Sequence, residues 1–183
     1  MSLAPLALAA ALVAGALPAH AADPTASLNR SFAEYTGAGP IGNNNLESNA
    51  FYWLFESTGV YAGQAVNSWF LIWEPQRARV RGTVTFDAPI LYMFDDQAGI
   101  VATSSFGNPG VTYDYSNVSI GLEALDRSGT SISGATLTLA WNGADPGDHV
   151  RIMTAAVPEP QTYALLAAGL GAIGWVTRRR RSR

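Results

Sequence analysis

The sequence contains no cysteine and no lysine. Without cysteine, the chain has no disulfide, thiol nucleophile, zinc–thiolate centre or lipid-modified cysteine. Histidine is also scarce, with His20 near the N-terminus and His149 as the only one in the central part. No strand–Gly-x-Ser-x-Gly–helix element, the signature of many serine hydrolases, is present.

The first 21 residues read as a secretory signal peptide. An apolar run from Leu3 to Leu17 is rich in Ala and Leu, and Ala19-His20-Ala21 supplies a small-x-small cleavage site. The charged n-region typical of these peptides is reduced to the terminal amine, because no arginine precedes residue 30. We expect signal peptidase to cut after Ala21, with a cut after Ala22 as the alternative.

Residues 157–183 combine three features in a fixed order. A Pro-rich start is followed by an uncharged stretch, 162–177, and then by a basic end, 178–183, with Arg178, Arg179, Arg180, Arg181 and Arg183. In a helix, residues 162–177 would span ~24 Å, which is less than the ~30 Å of a hydrocarbon core. This pattern predicts a short membrane helix whose arginines stay in the cytoplasm, with the rest of the chain outside.

The Pro-rich start is Val157, Pro158, Glu159 and Pro160. With this motif, the short span and the basic end together, the tail resembles the PEP-CTERM sorting signal of exported bacterial proteins. The resemblance implies recognition by exosortase, an integral-membrane processing enzyme, followed by release or attachment at the cell surface, often where exopolysaccharide is made. A simple tail anchor or stop-transfer helix is the alternative interpretation.

Residues 22–156 remain as one exported domain, long enough to bury a sizeable core. This body holds six arginines against thirteen acidic side chains, a formal charge of −7, whereas the whole chain carries only −3. An acidic exported domain is a poor partner for nucleic acid or anionic lipid. It is compatible with divalent cations or neutral glycans.

Nearly all periodic segments of the body have a period of two residues, which predicts strands. Turn residues such as those of 95–99, 107–110, 127–129 and 145–148 separate these segments. We predict an all-β fold, an antiparallel β-sandwich of about seven to nine strands, between a signal helix and a short transmembrane helix. No helical period is apparent outside these two membrane segments. The predicted strands cover residues 31–35, 51–56, 66–74, 77–87, 90–94, 118–125, 135–141 and 149–155.

The clearest alternation runs through residues 77–87. Val80, Val84 and Phe86 are predicted to face the core, with Arg77, Arg79 and Arg81 on the opposite face. This arginine row could grip an anionic polysaccharide through bidentate contacts. Pairing with carboxylates on neighbouring strands is the interpretation that we favour.

Three further groups are candidates for chemistry. His149 could act as a base, although a solvated or cross-strand polar role is the simpler interpretation. No cofactor is predicted; Ca²⁺ could bind at Asp95-Asp96 or at Asp145 with Asp148, but these residues are also ordinary turn formers. The aromatic side chains could stack on sugar rings, yet strands and cores also favour them. The aromatic candidates are Trp53, Trp69, Trp73, Trp141, Tyr52, Tyr61, Tyr92, Tyr113 and Tyr115.

These observations leave three classes of function open. The sequence favours a non-catalytic surface or matrix protein associated with exopolysaccharide or biofilm. A glycan-binding module with a defined aromatic site is the second class. A secreted hydrolase is the third, and it would need two carboxylates about 5–10 Å apart across a groove.

Overall fold

A computed structural model describes residues 21–37, 39–144, 146–156, 168–170 and 173. The first three ranges belong to one compact unit, while residues 168–170 and 173 are helical and belong to a separate unit. Most of the predicted signal peptide, the sorting motif 157–160, nearly all of the predicted span and the basic end lie outside the described residues. Within the described ranges, no helix is long and apolar enough to cross a membrane.

The described part of the body is mostly β, as predicted. It contains eleven strands, two short helices, α1 (Gln97–Ala102) and α2 (Ala124–Ser128), and a 3-10 turn at Ser104–Phe106. The strands are β1 (Thr25–Leu28), β2 (Phe32–Glu34), β3 (Pro40–Ile41), β4 (Phe51–Tyr61), β5 (Gln64–Trp73), β6 (Val80–Thr85), β7 (Ile90–Phe94), β8 (Thr112–Tyr113), β9 (Ser131–Ser133), β10 (Thr136–Trp141) and β11 (Asp148–Ala155).

These strands form three sheets. A four-stranded sheet has the order β1-β6-β10-β9, a five-stranded sheet has the order β2-β4-β5-β11-β7, and β3 pairs with β8. The pairs β2–β4 and β3–β8 are parallel, and the other strand pairs are antiparallel. The prediction of a wholly antiparallel fold is therefore wrong at these two pairs, and the described strands outnumber the seven to nine predicted. Both parallel pairs involve strands of two or three residues in the polar segment 23–49, which has no clear period.

The main apolar core is shared by the two larger sheets. Val84 and Leu137 come from the four-stranded sheet, and Trp53, Leu71 and Ile152 come from the five-stranded sheet. This arrangement follows from the alternation in the sequence, because every second residue of a strand points to the same face. Two sheets that share one core are the arrangement expected of a sandwich.

The other face of the five-stranded sheet is also covered. Phe70 and Ile72 of β5 pack there with Ile100 of α1, Ile41 of β3 and Ile120. Residues 69–73 are therefore fully buried on both faces. Trp69, Leu71 and Trp73 face the main core, while Phe70 and Ile72 face the second apolar cluster.

Two local predictions are wrong. Residues 118–125 do not form a strand: Gly121 has φ of +120°, outside the extended conformation of a strand, and makes only an isolated bridge with Asp96. Val118 and Leu125 are exposed rather than alternately buried, and α2 begins at Ala124. Residues 127–129 are accordingly the end of α2 rather than a turn between strands. Residues 95–99 lead into α1, where Asp96 caps the helix by accepting from Gly99 N at 2.7 Å.

The ends of the body are held by hydrogen bonds. Near the N-terminal end, Ala22 N donates to Asp87 Oδ2 at 2.9 Å. At the other end, β11 lies between β5 and β7, and Ala156 N donates to Ala65 O at 3.0 Å. Ordered pairing therefore continues to the residue that precedes the sorting motif.

Candidate functional site

The surface of the body contains a groove of about 720 Å³ beside β6 and α2. Its polar lining combines both signs of charge and comes from segments that are distant in sequence. These polar residues are Arg30, Arg77, Arg79, Glu123, Asp126 and Asn142. We take this groove as the candidate site, because charged side chains from several segments converge on it.

The basic side of the groove comes from the predicted arginine row. Arg77, Arg79 and Arg81 are exposed, and Val80 and Val84 on the opposite face are buried, which confirms the predicted register. Only Arg77 and Arg79 line the groove. Arg30 joins them from the segment after β1 and donates from Nε to Arg79 O at 2.9 Å.

The favoured pairing of this row with carboxylates is wrong. Within the described ranges, the ion pairs are Arg127–Asp95, His149–Glu74 and Arg151–Glu56, and none involves Arg77, Arg79 or Arg81. Glu123 and Asp126 line the same groove but make no salt bridge with the row. The guanidinium groups of Arg77 and Arg79 are therefore available to a ligand.

The acidic side of the groove is part of a carboxylate cluster formed by Glu123, Asp126 and Asp148. One oxygen from each residue lies within 4.8 Å of the other two. Glu123 precedes α2 and is exposed, Asp126 lies in the first turn of α2, and Asp148 begins β11. Asp126 and Asp148 are only 3% and 1% exposed, so two of the three carboxylates are withdrawn from bulk water.

The two buried acids of the cluster have different environments. Asp126 Oδ1 accepts from the backbone N and the Nδ2 of Asn142, both at 2.9 Å, which ties α2 to the end of β10. Burial, followed by the negative charges of Glu123 and Asp126, raises the pKa of Asp148 from the ordinary 3.8 to about 9. Asp148 Oδ2 accepts no hydrogen bond from any described residue.

A second buried polar atom without a described partner belongs to Trp73, the register partner of Asp148. Trp73 faces Asp148 across the β5–β11 pair, and the indole Nε1 of Trp73 donates to none of the described residues. Gly143, which lines the groove, packs so closely on this indole that a side chain at 143 would collide with Nε1. The glycine therefore allows the indole N–H to approach the groove.

The two cation sites predicted from sequence have different outcomes. Asp95 and Asp96 do not form one: Asp95 Oδ2 accepts from Arg127 Nε at 2.6 Å, and Asp96 caps α1. Asp145 lies outside the described residues. Asp148 does lie among acids, but Glu123 and Asp126 were missed, because a strand was predicted over residues 118–125.

Of the two simpler roles considered for His149, the solvated one is wrong and the cross-strand polar one is confirmed, because His149 of β11 contacts Glu74, the residue that follows β5. The His149 side chain is fully buried, and Nε2 lies 2.7 Å from Glu74 Oε1. Glu74 also accepts from Gly42 N and, at 2.8 Å, from Leu46 N. Because His149 is closed off from solvent, it cannot contact a substrate in this conformation, and its contacts are those of a structural pair.

A second buried charge pair, Glu56 with Arg151, was not predicted from the sequence. Arg151 Nε and Nη2 donate to Glu56 at 2.6 and 2.8 Å, and Arg151 Nη1 donates to Ile100 O at 2.6 Å and Thr103 Oγ1 at 2.7 Å. Tyr115 Oη is 3.1 Å from Nη2. The sequence signal was an arginine inside an otherwise apolar strand.

The aromatic candidates do not form an exposed stacking surface. Trp53, Trp69, Trp73 and Trp141 are buried in the main core, and the five candidate tyrosines are half-buried. No aromatic side chain is among the large exposed apolar residues of the described ranges. The interpretation as core is therefore correct for the four tryptophans, whereas the tyrosines are only partly buried.

The predicted processing sites are barely represented among the described residues. Ala19, the motif Val157–Pro160 and the basic end lie outside them. Ala21 is described, and it is 5% exposed and packs with the main core. The cleavage positions therefore stay predictions.

Comparison with known proteins identifies the tail. Residues 156–181 match the PEP-CTERM protein-sorting motif, which confirms the resemblance. The motif indicates an exported, cell-surface-directed protein that is targeted to exosortase. No curated protein and no solved structure matches the chain. The family match therefore covers the tail and not the body, residues 22–156, apart from Ala156.

Proposed function

We propose that the protein is a non-catalytic component of the cell surface or extracellular matrix that associates with exopolysaccharide, for example in a biofilm. In this proposal, signal peptidase cuts after Ala21 and the β-sandwich body is exported. Residues 162–177 hold it briefly in the membrane with the arginine block inside. Exosortase then cuts near Val157–Pro160. The sorting motif at 156–181 supports this route.

One observation carries the binding part of the proposal. Arg77 and Arg79 line a groove of about 720 Å³ and form no ion pair with any described acid. Guanidinium groups bind carboxylates, sulfates and phosphates through bidentate hydrogen bonds. An acidic polysaccharide carries such groups at regular intervals, so a chain lying along the basic side of the groove would meet the guanidinium groups of Arg77 and Arg79.

The groove can be tested with a matched pair of variants. The mature protein is sedimented with a carboxylated polysaccharide at low and high salt, and Arg77→Gln/Arg79→Gln is compared with Arg81→Gln. Arg81 shares the strand face but does not line the groove. We expect the double variant to bind at least about tenfold more weakly, since one hydrogen bond to a charged group contributes roughly 1.5–3 kcal/mol and about 1.4 kcal/mol corresponds to tenfold in affinity. Equal binding by all three proteins would reject the groove as the glycan site.

The sorting route has its own test, which does not depend on the groove. Mass spectrometry of surface material is expected to find a C-terminus near residues 157–160 and an N-terminus at Ala22. A C-terminus at Arg183 in that material would support a permanent tail anchor instead.

A carboxylate-dependent glycan hydrolase is the second candidate, and one observation favours it. Glu123 is exposed in the groove beside the buried Asp126, and the cluster oxygens lie within 4.8 Å of one another. Retaining glycosidases use two carboxylates about 5–5.5 Å apart. The two hydrogen bonds from Asn142 give Asp126 a structural role, which favours the non-catalytic proposal. Release of reducing ends by the wild type and its loss in Glu123→Gln would establish the enzyme.

A further inference from the structure

We propose that Glu123, Asp126 and Asp148 form a binding site for one Ca²⁺ ion, which joins α2 to the start of β11. The inference rests on the cluster and on the buried groups around it. Glu123 and Asp126 also line the groove, but the inference does not require that the groove binds a glycan. The bound species would be a hard divalent cation held by carboxylate oxygens and water.

The spacing of the three carboxylates suits calcium. Ca²⁺ takes oxygen ligands at 2.3–2.6 Å, so oxygens on opposite sides of the ion are about 5 Å apart. The three cluster oxygens already lie within 4.8 Å of one another. Mg²⁺ needs a tighter octahedron at 2.0–2.1 Å and keeps more of its water. All three ligands are hard oxygen donors, which disfavours the softer metals that prefer sulfur and nitrogen.

Two buried polar atoms without a described partner also point to a ligand at the cluster. Asp148 is 1% exposed and its Oδ2 has no described donor, and the fully buried indole Nε1 of Trp73 has no described acceptor. Leaving such groups unsatisfied costs about 1–3 kcal/mol each, and more for a charged group. Trp73 and Asp148 are register partners, so their side chains share one face of the sheet. A hydrated cation supplies both positive charge for the carboxylate and water oxygen for the indole N–H.

The described protein offers the cluster no cation of its own. Arg30, Arg77 and Arg79 line the same groove, but none forms a salt bridge with Glu123, Asp126 or Asp148. Without a cation, Asp148 and Glu123 would have to share a proton. Glu123 is exposed and lines the groove, which gives an ion a route from solvent to the buried carboxylates.

The consequence of binding is a cross-link between distant parts of the chain. Glu123 and Asp126 flank the start of α2, and Asp148 begins a strand of the five-stranded sheet. A site with one exposed ligand is expected to bind in the range of extracellular calcium modules, roughly 10⁻⁴–10⁻³ M. Calcium would then stabilise the domain after export, because the concentration outside the cell reaches this range.

The test uses the mature exported protein after removal of metal with EDTA and dialysis. Thermal unfolding and titration calorimetry are measured with CaCl₂ or MgCl₂ up to about 5 mM. The variants are Asp148→Asn, Glu123→Gln and, as a matched control, Glu34→Gln, an exposed glutamate on β2. Circular dichroism verifies that each variant is folded.

We expect CaCl₂ to raise Tm by about 5 °C in the wild type and in Glu34→Gln, by less in Glu123→Gln, and not at all in Asp148→Asn. MgCl₂ should have a smaller effect. The exposed Glu123→Gln keeps the test decisive even if Asp148→Asn fails to fold. The proposal is overturned if neither ion produces heat or a Tm shift in the wild type, or if both cluster variants respond as fully as the control. A glycan-binding defect in the arginine variants with an intact calcium response would leave this proposal standing, and the reverse result would leave the groove proposal standing.

Discussion

Strand β11 carries a buried carboxylate environment on each of its two faces. On one face, Arg151 meets Glu56 through two hydrogen bonds, and a third donor of Arg151 is used by Ile100 O. On the other face, three residues earlier, Asp148 meets Glu123 and Asp126. One environment contains its own cation, whereas the described residues supply none to the other.

The difference shows how burial of charge is balanced in this domain. Moving a carboxylate out of water costs several kcal/mol unless a counter-charge and hydrogen bonds replace the lost hydration. Glu56 obtains both from Arg151, and Glu74 obtains a partner in His149. The cluster around Asp148 must obtain its counter-charge from a proton or from an external ion. The stability of the protein should therefore depend differently on Glu56, which has a cationic partner, and on Asp148, which has none among the described residues, when residues are mutated or the pH is changed.

The largest effect is expected when a new carboxylate is placed in the apolar core, where neither an internal cation nor an external ion can neutralise it. Val84 is fully buried between the two larger sheets. Val84→Asp would bury an unpaired charge in the apolar core, so we expect loss of the folded state. Circular dichroism and urea unfolding measure this, with the exposed neighbour Thr85→Asp as the control. A folded Val84→Asp protein with a normal urea midpoint would contradict the core assignment.

Removing the internal cation should have the next largest effect. Arg151→Met leaves Glu56 buried without its guanidinium, which should cost about 3–5 kcal/mol in the free energy of unfolding. Arg127→Met, which breaks the exposed pair with Asp95, should cost at most about 1 kcal/mol. Adding Glu56→Gln to Arg151→Met should recover part of the loss. Similar costs for the two single arginine variants would mean that burial of the first pair is unimportant.

The stability of the metal-free protein should depend on pH through Asp148. Because the folded pKa is raised to about 9 from 3.8, the folded state holds this proton more tightly than the unfolded chain. The associated stability is present below about pH 4 and is lost as pH rises towards 9, by at most about 1.4 kcal/mol per pH unit. Urea unfolding in EDTA at pH 6, 7, 8 and 9 measures the slope. Asp148→Asn should flatten it, and an unchanged slope in this variant would assign the pH dependence to other groups.

The smallest effect is expected for the groove arginines. Arg79 is exposed and its side chain forms no ion pair, so Arg79→Ala should change the free energy of unfolding by less than about 0.5 kcal/mol. Urea unfolding beside Arg151→Met gives the direct comparison. A cost above about 2 kcal/mol would reveal a structural partner for Arg79.

The features predicted correctly from sequence are those with a local pattern. Val80, Val84 and Phe86 are buried and Arg77, Arg79 and Arg81 are exposed, because side-chain direction in a strand depends only on position along it. The tail was recognised for the same reason, since motif, span and basic end are contiguous.

The features missed depend on distance in sequence or on short elements. Glu56 and Arg151 are 95 residues apart, and no local pattern links them. Helix α2 has five residues, too few to display a helical period, so the approach of Glu123 to Asp148 could not be foreseen. The burial of His149 likewise depends on segment 42–46, which packs against Glu74.

The position of β11 also bears on mechanical strength. β11 lies between two neighbours in its sheet, and pairing continues through Ala156, the last residue before the sorting motif. A pull on residue 157 would therefore load β11 along its own axis, so that the hydrogen bonds on both sides share the tension in shear. An edge strand would instead be peeled away one bond at a time. If the protein is retained at the surface through this end, the force of flow would act on the hydrogen bonds of β11 in shear, the direction in which they resist best.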